Sequence, residues 1–219
     1  MSKNNYVYLL EGKIYINLTN LCTNECVFCI RDIKDDVVGA DLRLDGEICN
    51  VDEVKRQLDE FKPENYHEIV FCGYGEPTLK LDELKEVAKY IKEKYPHIKT
   101  RINTNGQANL VHKRNVVPEL VGLIDRISVS FNAETEDLYD KISQPKIRGA
   151  YSAMQDFIVD CVENGIETTA TIVTGYKDYN VDKDKCKQLI ETLGAKFRER
   201  PWIENGLSLI HISEPTRPY

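Results

Sequence analysis

Apolar and polar positions change period repeatedly along the chain. Short runs rich in β-branched residues read as strands at 14–18, 68–72, 100–103, 126–131, 167–174 and 195–199. Between them, apolar residues recur three and four apart, the helical spacing, at 51–61, 81–95, 116–124, 151–164 and 181–193. In 81–95 the stripe is Leu81, Leu84, Val87, Ala88 and Ile91 with lysines and glutamates opposite, so this helix packs and carries no chemistry. Strand and helix in alternation predict an α/β fold with a parallel sheet of βα units. Residues 6–10, Glu11-Gly12 and 13–17 read as a hairpin leading into the first sheet strand. One irregular stretch, 31–46, is longer than a plain connection needs, and its place after a cysteine-rich segment marks it as a functional loop and the expected source of substrate contacts.

Composition narrows the function classes. The 29 Lys and Arg against 36 Asp and Glu leave a net charge of −7, without the basic footprint that a phosphate backbone asks for, so a nucleic-acid substrate is disfavoured. No apolar run reaches the roughly 18 residues of a membrane span, and Met1-Ser2-Lys3-Asn4-Asn5 lacks a secretory apolar core, which predicts a cytoplasmic protein without membrane contact. In that compartment seven cysteines point to free thiols or metal ligands rather than disulfides. Cys49, Cys72, Cys161 and Cys186 are far apart and read as buried small hydrophobes. His67, His97, His112 and His211 stand alone and read as ordinary surface or core residues.

Cys22, Cys26 and Cys29 are different. They write C-x3-C-x2-C directly after a predicted strand, which gathers three thiols in one strand-end loop. Cysteine thiolates hold iron–sulfur clusters, and a cubane has four irons, so three ligands leave one iron open for chemistry. Other informative residues also follow strands, where parallel α/β folds place ligands. They are Gly73, Gly75 and Glu76 in GYGEP, Asn103 and Asn105 on one face of NTNG, and Ser130 and Asn132 at the end of the fourth strand. The two glycines would let backbone approach a ligand closely.

Together these features resemble a radical S-adenosylmethionine (SAM) enzyme over nearly all of residues 1–206. Phe28 fills the aromatic slot before Cys29, and GYGEP resembles the family's glycine-glutamate motif, with Tyr74 between two glycines that are more commonly adjacent. The stretches YINLTNLCTNECVFCIRD, VFCGYGEPTL, RINTNGQANLVHKRNVVPEL and ISVSFNAETEDLYDKI resemble the subgroup called TatD family-associated radical SAM proteins. The resemblance implies a partial (β/α)6 barrel of TIM type, open on one side, with a [4Fe–4S] cluster on Cys22, Cys26 and Cys29 and SAM chelating the fourth iron. It further implies Phe28 against the adenine, backbone around Gly75 and Glu76 on the methionine amino group, and Asn103, Asn105, Ser130 and Asn132 toward the carboxylate and ribose, with Gly73 in the same turn. Reductive cleavage of SAM would give a 5′-deoxyadenosyl radical that takes hydrogen from a substrate. The partners so implied are a reductant such as flavodoxin or ferredoxin, a substrate, and a functional link to a TatD-type hydrolase.

Within that family a glycyl-radical activase and a small-molecule enzyme are both open. A structural zinc module would need four closed ligands, and an electron carrier a fourth cysteine on the same cluster. Residues 207–217 look like the in-frame translation of a transposase-type sequencing adapter, which predicts a radical SAM core at 1–206 and non-native read-through at 207–219.

Overall fold

The computed structural model describes residues 4–32, 39, 41–46 and 48–202. The 207–219 segment lies outside the described residues, as does much of the 31–46 loop. Seven strands form one sheet: β1 (Val7–Leu10), β2 (Lys13–Ile16), β3 (Glu68–Phe71), β4 (Lys99–Thr104), β5 (Arg126–Ser130), β6 (Glu167–Thr174) and β7 (Lys196–Pro201). They pair in chain order, β1 antiparallel to β2 and every later pair parallel, and β7 does not pair back to β1. The six expected parallel strands are therefore present as a sheet that is not closed, with the hairpin strand added at one edge.

Helices α1 (Val51–Glu60), α2 (Leu81–Lys94), α3 (Ala108–His112), α4 (Val117–Leu120), α5 (Glu136–Ser143), α6 (Ala150–Glu163) and α7 (Lys183–Thr192) connect the strands. Three begin as polar capping chemistry dictates: Asn50, Thr135 and Asp182 accept from the backbone N–H groups of Glu53, Leu138 and Lys185. The expected 116–124 helix is a single turn at α4, because Val121 is already extended and Gly122 turns left-handed at φ 81°. Conversely, α5 was not foreseen, although Thr135 followed by Glu136 and Asp137 is a start signal.

The sheet buries both faces, which is why β3 is buried at every position. Ile69 and Phe71 pack with Leu84, Val87 and Ile91 of α2, each buried aliphatic contributing about 1.5–3 kcal/mol. Val70 points the other way, to Tyr8, Tyr15, Leu42 and Tyr74 on the inside of the curved sheet. Asp125, just ahead of β5, pins the strands' N-terminal end by accepting from the Thr100 N–H at 2.8 Å and by pairing with Lys92 and, at 3.1 Å, Lys99. Burial would push its carboxyl up, but these donors outweigh it and hold it down at about 2. A depressed carboxyl stabilises the fold above its unfolded value near 3.9 and loses that contribution as pH falls through the folded value. Asp125→Asn is therefore expected to lower urea stability by about 2 kcal/mol at pH 7, with variant and parent converging between pH 4 and 2. A difference that persists at pH 2 refutes this.

Candidate functional site

All eleven residues singled out from the strand-end motifs line one cleft at the C-terminal ends of the strands. Cys22, Cys26, Phe28 and Cys29 come from the loop after β2; Gly73, Gly75 and Glu76 follow β3; Asn103 and Asn105 stand at the end of β4, Ser130 and Asn132 at the end of β5.

The cysteine loop is held by contacts distant in sequence. The N–H groups of Glu25 and Val27 donate to the carbonyls of Gln144 and Ile142 at the end of α5, and that of Lys146 donates back to the Thr23 carbonyl. Gln107 donates to Asn24 Oδ1 at 2.7 Å and to the Tyr139 hydroxyl at 3.2 Å. The Tyr176 hydroxyl donates to the Val27 carbonyl at 2.7 Å, and its ring stands edge-on to Phe28, 5.8 Å between centroids. Arg31 donates to the carbonyls of Asn20 and Asn24, both at 3.2 Å, and so clamps the loop. Leu42 and Leu44, from the described part of 31–46, likewise bind Asn17 and Asn20 at the base of the cysteine loop.

The glycine turn packs on the same loop. A Cβ on Gly75 would stand 2.4 Å from the Thr19 carbonyl oxygen and 2.5 Å from that of Leu21, and one on Gly73 would overlap Asn17 at 2.0 Å. Room expected for a ligand is thus partly taken by backbone of the cysteine loop, and the Glu76 N–H donates to Leu21 O at 2.8 Å to lock the two together. The Glu76 side chain turns inward. Its carboxylate accepts from the Thr78 N–H and hydroxyl, the Thr104 hydroxyl and the Asn105 N–H, at 2.7–3.0 Å. Burial pushes this carboxyl up, against the four donors that favour its ionised form. Glu76→Gln puts an amide donor against either Asn105 N–H or the three donors on Oε1. A stability loss of about 1–3 kcal/mol is expected in denaturant unfolding, and parent-like stability refutes the tie.

Asn105 is also engaged: it donates to Thr23 Oγ1 at 2.7 Å and lies 4.0 Å from Cys22 Sγ, while its Oδ1 accepts from the Gln107 N–H. Asn103 and Asn132 are not equally satisfied. Their Oδ1 atoms are buried acceptors with no hydrogen-bond partner, both residues line the cleft, and Asn132 is held at φ 62°, a strained backbone for a non-glycine residue. The three cysteines are half-buried and free. Burial, with Glu76 nearby, pushes the Cys22 thiol up to about 11; burial and the other two thiols push Cys26 up to about 12; burial also raises Cys29. Among the described residues no three His, Cys, Asp or Glu side chains are grouped as ligands of a single ion. A four-iron cubane is bulkier than an ion and keeps its cysteines farther apart. A thiol wall beside buried acceptors suits such a cluster with a donor-bearing ligand next to it.

Of the cleft residues that were not picked out from the sequence, two stand out for their chemistry. Cys72 lines the cleft, contrary to its expected place among scattered core cysteines; Cys49, Cys161 and Cys186 are core residues. The period of two along β3 is the signal, since Cys72 follows Val70 on the inner face. Arg200, on β7, is the other. None of the described helices is long and apolar enough to cross a membrane.

The model of the family described as the Radical SAM superfamily matches residues 16–190. A curated 5-amino-6-(D-ribitylamino)uracil–L-tyrosine 4-hydroxyphenyl transferase from Methanococcoides burtonii is 24% identical over 181 residues, covering 80% of this chain and 47% of that enzyme. Among solved structures, SuiB of Streptococcus suis bound to its precursor peptide SuiA superposes with a TM-score of 0.65 at 18% identity, over 95% of this chain and 43% of that one. A radical SAM methyltransferase from Sphaerobacter thermophilus gives 0.61 at 15% identity, over 89% and 57%. The chain spans about half the length of these relatives.

Proposed function

Because this chain belongs to the radical SAM superfamily, we propose that Cys22, Cys26 and Cys29 hold a [4Fe–4S] cluster that supplies the electron for cleaving SAM to a 5′-deoxyadenosyl radical, which takes hydrogen from a substrate. The observation that carries this reading is the single cleft in which the three thiols meet Asn103, Asn132 and the glycine turn. The hard chemistry belongs to the cofactors, and the protein positions them. Phe28, fixed edge-on by Tyr176, presents an apolar ring to the adenine. Backbone around Gly75 and Glu76 receives the methionine amino group, with Gly73 shaping the turn. Asn103 Oδ1 and Asn132 Oδ1 accept from ribose hydroxyls, because an unpaired acceptor does not suit a carboxylate; Ser130 can donate to the carboxylate. Asn105 and Glu76 side chains act one step back, holding the loop that carries Cys22.

The finer assignment we propose is the TatD family-associated subgroup, on the four stretches quoted above, acting in the cytoplasm as an oxidoreductase or lyase type enzyme. Flavodoxin or ferredoxin would be the reductant and a TatD-type hydrolase a functional associate. Residues 1–206 would be the radical SAM core and 207–219 read-through. A second reading comes from Cys72: as a fourth ligand it would close the cluster and make the protein an electron carrier. Anaerobic reconstitution decides between them. About four irons and four sulfides per chain are expected, with a reduced-cluster paramagnetic resonance signal that changes when SAM is added. An unchanged signal favours a closed cluster, and zinc without iron refutes both readings.

A further inference from the structure

The two asparagines at the end of β4 differ in what they bind. Asn103 leaves its Oδ1 buried without a partner in the cleft, whereas the Asn105 side chain is engaged with the cysteine loop. Asn105 is buried, and its backbone N–H donates to Glu76 Oε2 at 2.7 Å. Its Oδ1 accepts from the Gln107 N–H at 3.1 Å, and its Nδ2 has two acceptors on the cysteine loop, Thr23 Oγ1 at 2.7 Å and Cys22 Sγ at 4.0 Å. An amide nitrogen carries two hydrogens, so both contacts can be made at once. The network also fixes which way the amide points: turned over, its NH2 group would meet the Gln107 N–H, donor against donor.

A second donor reaches the same sulfur. The Asn24 N–H donates to Cys22 Sγ at 3.4 Å, and Asn24 is itself held, its Oδ1 accepting from Gln107 Nε2 at 2.7 Å and its carbonyl from Arg31 at 3.2 Å. Cys22 thus faces N–H groups from two separate segments, its own loop and the end of β4. Neutral sulfur is a weak acceptor, but a thiolate is an anion, and hydrogen bonds to a charged group are the strong ones. Reduction of an iron–sulfur cluster adds one negative charge, which donors aimed at its ligand sulfurs stabilise, so these hydrogen bonds raise the reduction potential. Buried away from water, they act with little screening.

We propose that Asn105 is a positioning residue for the electron-transfer step: by donating an N–H to Cys22 Sγ it raises the reduction potential of the cluster and so eases entry of the electron. This rests on the reading of Cys22, Cys26 and Cys29 as the cluster's ligands. It moves Asn105 from the SAM carboxylate and ribose, where the family resemblance put it, to the metal side of the cleft.

The test is a redox titration of the reconstituted protein without SAM, followed by the visible absorbance or paramagnetic resonance signal of the cluster. Asn105→Asp keeps an acceptor for the Gln107 N–H but replaces the donor by a carboxylate. Asn105→Leu removes the donor at similar size and without charge, and decides the matter if the aspartate variant takes up no cluster. Each is expected to shift the oxidised-to-reduced ratio at a given potential by about tenfold, which is about 59 mV downward for one electron. Tyr139→Phe is the structural control: it removes a hydroxyl that accepts from Asn24 and Gln107 but no donor to a thiol, and its potential is expected at the wild-type value. Wild-type potential in both Asn105 variants, or an equal fall in Tyr139→Phe, overturns the proposal. So does absence of the cluster from both Asn105 variants, which makes the residue a structural brace alone. SAM affinity is read in the same preparations, and its loss at unchanged potential makes Asn105 a SAM contact and likewise overturns the proposal. Failure of the underlying site reading shows separately, as wild-type protein that takes up no iron and sulfide.

Discussion

Alanine in place of Cys22, Cys26 or Cys29 is expected to bring iron and sulfide from about four each per chain to near zero and SAM cleavage to buffer background, while Cys72→Ala keeps the cluster. The three lie on one braced loop, and losing one donor leaves a cluster with two protein ligands. Cys72 belongs instead to β3's inner face, packed against Tyr8, Val70 and Tyr74, with its carbonyl accepting from the Tyr8 hydroxyl at 3.0 Å. Iron and sulfide analysis of the four variants after identical reconstitution checks this. Loss of the cluster in Cys72→Ala as well would mean four cysteine ligands and no open iron.

The second large effect is steric. Gly75→Ala drives a methyl against two backbone carbonyls, Thr19 and Leu21, that cannot rotate away. A loss of roughly 3 kcal/mol is expected, at the upper end of overpacking, together with reduced cluster retention because Leu21 directly precedes Cys22. Gly122→Ala is the control: it has φ 81° and nothing within 4 Å of the added Cβ, so only the left-handed backbone is penalised, by about 1 kcal/mol. Urea unfolding of the two variants side by side tests the claim. Equal losses would show that the turn yields, and that the glycine is there for its conformation rather than for contact with the cysteine loop.

The βα alternation was legible because period-two and period-3.6 patterns are local, and the strand-end residues were legible because a parallel sheet sends every strand's C-terminal end to one edge. The cysteine spacing could be read for the same reason, all three thiols lying within eight residues. What holds them could not. Ile142 and Gln144 brace Val27 and Glu25 across more than a hundred residues, through a helix whose short length gave little periodicity. Glu76 read as a ligand-side residue because it stands in GYGEP, directly after a strand. Only the positions of Thr104 and Asn105 on the neighbouring strand's end show that it ties two turns together. Arg31 gave no sign of its role in the sequence: carbonyls of the loop before it capture its guanidinium. Arg200 sat in a run of alternating charges, KFRERP, which resembles a solvated strand until the sheet's curvature turns one face of β7 into the interior.

The most direct test is chemical. Anaerobically reconstituted protein with a full complement of iron and sulfide is mixed with SAM and a strong one-electron reductant, and the products are separated and quantified. The expected result is 5′-deoxyadenosine and methionine in equal amounts, dependent on the reductant and absent with Cys22→Ala. SAM left intact by a fully loaded, reduced protein would contradict the assignment of this cleft.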